Sequence, residues 1–134
     1  MAVTPYLFID GRCDEAIEFY KKNLGAEVEM LMRYKDSPDR APMPPGADDK
    51  VLHACFRVGD SAILASDGHC SNKAELKGFA LTITVKDEAE AGRTYAALSE
   101  GGTQVMPLTK TFFSPRFGML NDRYGVMWMI IVMP

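Results

Sequence analysis

Residues 112–133 read FFSPRFGMLNDRYGVMWMIIVM, and the way this stretch folds decides what must surround it. It divides into two strands, 116–120 and 126–132, which reverse over Asn121, Asp122, Arg123, Tyr124 and Gly125. Polar residues and a glycine suit a tight reversal, because Gly125 can take a positive φ without a Cβ clash. The second strand is apolar on both faces: Val126, Trp128, Ile130 and Val132 on one, Met127, Met129 and Ile131 on the other. Such a strand needs cover on two sides. The pattern therefore predicts a strand inside a sheet, with a helix on one face and a closed cavity or a partner on the other.

Working outward, residues 79–85 alternate Phe79, Leu81, Ile83 and Val85 with Ala80, Thr82 and Thr84, which is strand periodicity. A helix over 88–99 follows, ended by Gly101 and Gly102, and then a short strand over 104–108. The first half has the same order. A strand over 4–9 precedes a helix over 14–24, where Ala16, Ile17, Phe19, Tyr20 and Leu24 make an apolar stripe and Gly25 sits at the stop. Strands over 27–34, 50–58 and 61–66 complete it, the last two as a hairpin across Gly59 and Asp60. Asp14-Glu15-Ala16 and Asp87-Glu88-Ala89 start the two helices about 75 residues apart, so the chain reads as a duplicated βαβββ unit. The predicted class is α+β: modules over 1–67 and 78–134, a connector over 68–77, mixed sheets curved around a cavity, and helices outside. Residues 36–49 hold four prolines and four aspartates and read as a long surface loop, either a lid or a solvated linker.

Composition narrows the function classes. With 47% apolar and 25% charged residues, the 134-residue chain can build an ordinary core. A net charge of −3 with scattered Lys and Arg gives no footprint for nucleic acid or an anionic membrane. No apolar run approaches the roughly 20 residues of a spanning helix, and MAVTPYLFIDG lacks the charged start of a signal peptide. Three cysteines without a CxxC spacing fit reduced thiols in a cytoplasm. The nine methionines fill gaps in the core, and some suit an adaptable apolar cavity.

Several residues have two readings. His53 shares a strand face with Cys55 and Arg57, as a general base or ligand-binding group, or as a structural histidine bonded to a partner. Cys55 is a thiol site or a small buried apolar residue. Thr82 and Thr84 orient a polar ligand or follow strand propensity. Arg116 suits a carboxylate or phosphonate, or a dimer-interface or surface salt bridge. Phe112 and Phe113 wall a pocket, or as an exposed pair need a partner surface to cover them. Asp67, His69 and Cys70 lack the second spaced pair of a metal cluster. Trp128 is assigned to the core.

The segments YLFIDGRCDEAIEFYKKNLGAEV, KVLHACFRVGDSAILASDG and FFSPRFGMLNDRYGVMWMI resemble the PhnB-like branch of the glyoxalase/bleomycin-resistance (vicinal oxygen chelate) superfamily. That branch often carries the label 3-demethylubiquinone 3-methyltransferase domain. The resemblance covers nearly the whole chain and implies two tandem βαβββ modules assembled as a homodimer. It also implies a metal held by His, Glu or Gln on the concave faces, polarising two neighbouring substrate oxygens. The matching positions here are Pro5, Ala65, Ala80 and Met129, none of which binds a hard or borderline divalent cation. No metal and no cofactor are therefore expected. The chain also lacks a glycine-rich strand-to-helix loop for a nucleotide-like methyl donor.

What is left is a cavity lined by Leu7, His53, Cys55, Thr82, Thr84, Phe113, Arg116, Met127 and Met129. It suits a small, mostly apolar organic molecule with one or two polar handles, sequestered as the bleomycin-binding relatives do. The expectation is a cytoplasmic small-molecule binding protein, with no nucleic-acid or membrane partner. The alternative is a metal-dependent enzyme of glyoxalase, fosfomycin-resistance or dioxygenase type, using His53 with relocated ligands such as Asp67.

Overall fold

Strand, helix, strand and hairpin follow one another twice, as the sequence predicts. A computed structural model describes residues 1–38, 45–68, 70 and 73–134. The chain runs β1 (Tyr6–Phe8), α1 (Cys13–Leu24), β2 (Glu27–Arg33), a 3-10 turn (Tyr34–Asp36), β3 (Val51–Val58) and β4 (Ser61–Ser66). It continues through β5 (Leu81–Val85), α2 (Glu88–Ser99), β6 (Thr103–Thr109), β7 (Phe117–Asn121) and β8 (Met127–Val132). Contacts divide it into two units, Met1–Glu75 and Leu76–Pro134. Their boundary falls inside the stretch the sequence marks as connector. Among the described residues no helix is long and apolar enough to cross a membrane.

In the first unit the strand order is β1-β4-β3-β2, with β1 parallel to β4 and the other pairs antiparallel. Leu7, Ile9, Ala54, Phe56, Ile63 and Ala65 are buried on one face. Helix α1 covers that face with Ala16, Ile17, Phe19 and Tyr20, and the Tyr20 ring stacks on Phe56 at 5.7 Å. The helix ends at Gly25, where φ is 66°, a left-handed stop that removes the Cβ penalty. Its start differs from the sequence reading. Arg12 occupies the N-cap without a side-chain cap. The first helical N–H, that of Cys13, instead donates to Asp67 Oδ1 at 2.8 Å. Asp67 Oδ2 accepts the N–H of Val51 at 2.7 Å, so one buried carboxylate holds the start of α1 and the start of β3 together. Val51 is fully buried and does not share the half-exposed environment of His53, as strict alternation would have it. A register shift between Met32 and Arg33 breaks the alternation there.

In the second unit the order is β5-β8-β7-β6, with β5 parallel to β8. Leu120, Trp128, Ile130 and Val132 are buried with Ala91, Tyr95 and Leu98 of α2, which confirms Trp128 as core. Asp87 caps α2 by accepting the N–H of Glu90 at 2.8 Å. The Tyr95 ring lies over Gly118, where a Cβ would come within 2.8 Å of it. The Tyr95 hydroxyl donates to Met106 O and Met119 O at 2.8 and 3.2 Å, tying the irregular edge strand β6 to β7. The reversal between β7 and β8 is built on Asp122. Its carboxylate accepts the N–H groups of Tyr124 and Val126 at 2.8 and 3.1 Å and the indole N–H of Trp128 at 2.9 Å. Gly125, with φ of 88°, closes the turn. Because Val126 is drawn into the turn, β8 starts at Met127, one residue later than the sequence suggests.

Cys13 gives this fold a pH signature. Burial, with Asp67 and Asp14 nearby, pushes its thiol well above the ordinary value of 9.0. Unfolding releases a thiol that ionises above that pH, while the native state keeps its proton. Stability is therefore expected to fall as pH rises past about 9, by up to about 1.4 kcal/mol per unit. Tyr95, also raised by burial, acts in the same direction at higher pH. Urea midpoints at pH 8 and 10 test this: Cys13→Ala should flatten the decline, and an unchanged slope would assign it elsewhere.

Candidate functional site

Each sheet has one helix-covered face and one face that no helix of its unit covers. On the uncovered face of the first unit, β3 presents His53, Cys55 and Arg57, all half-buried. Register puts Leu64 of β4 opposite Cys55 and Tyr6 of β1 beside Leu64. The Tyr6 hydroxyl lies 3.0 Å from His53 Nδ1, and the two rings stack at 5.5 Å with 27° between planes. Phe8 continues the run, 4.9 Å from Tyr6 and 55% exposed. The result is a short aromatic shelf with one polar couple, whose His53 Nε2 is not needed for the bond to Tyr6.

Cys55 Sγ lies 3.7 Å from Glu29 Oε2, and Glu29 Oε1 pairs with Arg57 Nε at 3.3 Å. Burial and the neighbouring Glu29 raise the Cys55 thiol pKa. A thiol held protonated in this way is a poor nucleophile at neutral pH.

Leu7 requires a correction. It is fully buried and pairs with Ala65, on the face covered by α1, so it does not line the same surface as His53. A three-residue strand carries too little alternation to fix its phase. Tyr6 and Phe8 are the residues that β1 offers to the uncovered face, and apolar character alone favoured their neighbour. Met30 and Met32 were also missed. They lie opposite Cys55 and His53, but a register shift between Val28 and Met30 hides their phase in the sequence.

In the second unit Thr82 and Thr84 are exposed along β5. Thr82 pairs with Met129, its Oγ1 lying 3.8 Å from Met129 Sδ. Met127, Met129 and Ile131 are half-buried on that side of β8. Phe113 packs edge-on against Phe117 at 5.1 Å and against Phe112 at 5.2 Å. Arg116 does not join these residues as an anion reader: its Nε binds Glu88 Oε1 at 3.0 Å, at the start of α2. That ion pair is the surface salt bridge of the alternative reading.

The donor set does not fit a divalent metal in the superfamily positions. Pro5, Ala80 and Met129 offer no hard ligand, and Ala65 is buried on the helix-covered face. Asp67 spends both oxygens on the backbone of Cys13 and Val51. Among the described residues no three His, Cys, Asp or Glu side chains converge. His69 lies outside the described residues, as do residues 39–44 of the loop read as a lid or a solvated linker. Cys70 is half-buried, with its N–H donating to Asp67 O.

Comparison with known proteins places this geometry. Residues 1–131 match the family described as 3-demethylubiquinone-9 3-methyltransferase. Protein YjdN of Escherichia coli K12 is 34% identical over 140 residues, spanning 98% of this chain and 95% of YjdN. The crystal structure of protein PA1353 from Pseudomonas aeruginosa is 40% identical, with a TM-score of 0.87 over 99% of this chain and 98% of that one. A PhnB protein from Bacillus cereus is 28% identical, with a TM-score of 0.82 over 98% and 99% of the two chains. The fosfomycin resistance protein FosX from Listeria monocytogenes, 10% identical with a TM-score of 0.68 over 100% and 93%, shares the fold. The chain belongs to the family described as 3-demethylubiquinone-9 3-methyltransferase, and it shares the fold of the PhnB protein and of FosX.

Proposed function

We propose that the protein binds a small, largely apolar organic molecule bearing one or two polar groups, without a divalent metal and without methyl transfer. The observation that carries this reading is the Tyr6–Phe8–His53 run: three rings side by side on a face no helix of the unit covers, with one hydrogen-bonded couple among them. Stacked rings supply area and orientation to an apolar guest, and a single polar couple selects for its handle. The methyltransferase label finds no support in the residues, since neither strand-to-helix turn is a glycine-rich loop.

A thermal-shift screen against metabolites and antibiotics, with and without added divalent metals, tests the proposal. A ligand at 100 times its dissociation constant stabilises the native state by about 2.7 kcal/mol, which raises Tm by several degrees in a chain of this size. His53→Ala should abolish the shift for ligands held on the first unit. Stabilisation that requires a divalent metal, or turnover of the ligand, would transfer the case to the metalloenzyme.

A further inference from the structure

On the same sheet, two adjacent strands carry a set of soft donors of which the organic-ligand reading uses only His53. Strand β2 supplies Met30 and Met32, and β3 supplies His53 and Cys55. Met32 lies opposite His53 and Met30 opposite Cys55, while the intervening Leu31–Ala54 pair belongs to the alternate face, where Ala54 is fully buried. Directly opposed residues in an antiparallel pair stand about 4.5–5.5 Å apart at Cβ, and neighbours two along a strand about 6.5–7 Å. Four side chains thus rise from the corners of a rectangle small enough for their tips to meet. None is sealed off: Met30 is 40% exposed, and Met32, His53 and Cys55 are half-buried.

We propose that Met30, Met32, His53 and Cys55 form a binding site for a soft monovalent cation, Cu(I). Two thioethers, a thiolate and an imidazole are the donors that such a cation prefers over the oxygen ligands of hard divalent ions. With the imidazole proton on Nδ1 and donated to the Tyr6 oxygen at 3.0 Å, the Nε2 lone pair is left for the metal, and an outer partner on the second ring nitrogen is the usual accompaniment of a ligating histidine. Binding converts the Cys55 thiol to a thiolate: the S–H bond breaks, an S–Cu bond forms, and the proton passes to Glu29, 3.7 Å away, or to the buffer. Copper remains Cu(I) and no electron moves. Because a proton is released, affinity rises with pH. The site is separate from the positions Pro5, Ala65, Ala80 and Met129.

Anaerobic titration of the full chain with Cu(I), in competition with the chromogenic chelator bicinchoninate and with no organic ligand present, tests the site apart from the ligand proposal. One Cu(I) per chain should be withheld from the chelator. Cys55→Ser and His53→Ala should each weaken binding by about 100-fold or more, and Tyr6→Phe by about 10-fold through loss of the Nδ1 partner. Met30→Leu and Met32→Leu keep side-chain volume and should each lower affinity while leaving the circular dichroism unchanged. Cys70→Ser should leave binding intact. X-ray absorption should show sulfur and nitrogen neighbours. Failure to compete with the chelator, wild-type affinity in the Cys55→Ser/His53→Ala double variant, or loss of binding in Cys70→Ser would each overturn the assignment.

Discussion

Replacing Asp122 by Ala should lower the stability of the chain by about 3–5 kcal/mol. The carboxylate is 3% exposed and accepts from two backbone N–H groups of its own turn and from the Trp128 indole. Its loss leaves three donors without their acceptor, and each buried orphan costs about 1–3 kcal/mol. The tight turn gives water some access, which holds the sum below the upper limit. Asp122→Asn keeps one acceptor oxygen and should lose about half as much. Urea unfolding followed by the fluorescence of the single tryptophan measures both variants. A loss under about 1 kcal/mol for Asp122→Ala would mean that the β7–β8 reversal is held by its apolar strands alone.

Asp67→Ala should cost about 2–4 kcal/mol. Two donors are orphaned here, the N–H groups of Cys13 and Val51. A negative charge also disappears from the N-terminal end of α1, where it complements the helix dipole. The damage should be local to the first unit. Hydrogen exchange should show α1 amides losing protection while α2, capped by its own Asp87, keeps its own. Equal loss in both helices would show that the two units unfold as one and that Asp67 acts on the whole chain.

These two carboxylates mark where the sequence could and could not be read. Helix α2 is legible to the residue because its cap, Asp87, precedes it directly and glycines follow its end. The start of α1 is not, because its capping oxygen comes from Asp67, 54 positions away. Strand β8 announces itself as a continuous apolar run after a turn, to which the structure adds an alternation of buried and half-buried residues, and the two-fold βαβββ order follows from spacing and turn chemistry. Parity also sets His53 and Cys55, Thr82 and Thr84, and Met127 and Met129 on the less buried sides of their strands. It fails for Leu7, whose strand is too short to show a phase, and for Met30 and Met32, whose strand is interrupted by a bulge. Arg116 was ambiguous for a different reason: its carboxylate partner, Glu88, lies 28 positions earlier and on another element. Long-range pairing of this kind leaves no local trace in a sequence.

The central claim is that an organic ligand sits on the uncovered sheet face centred on Tyr6 and His53. Methyl-labelled NMR spectra, recorded while a stabilising ligand from the thermal screen is added to metal-free protein, test it most directly. The account predicts that the Met30 and Met32 methyls and the His53 ring protons shift together and saturate with one ligand per chain. It predicts no such change in the His53→Ala variant. Saturable shifts confined to residues away from this face, or shifts that appear only after a divalent metal is added, would contradict it.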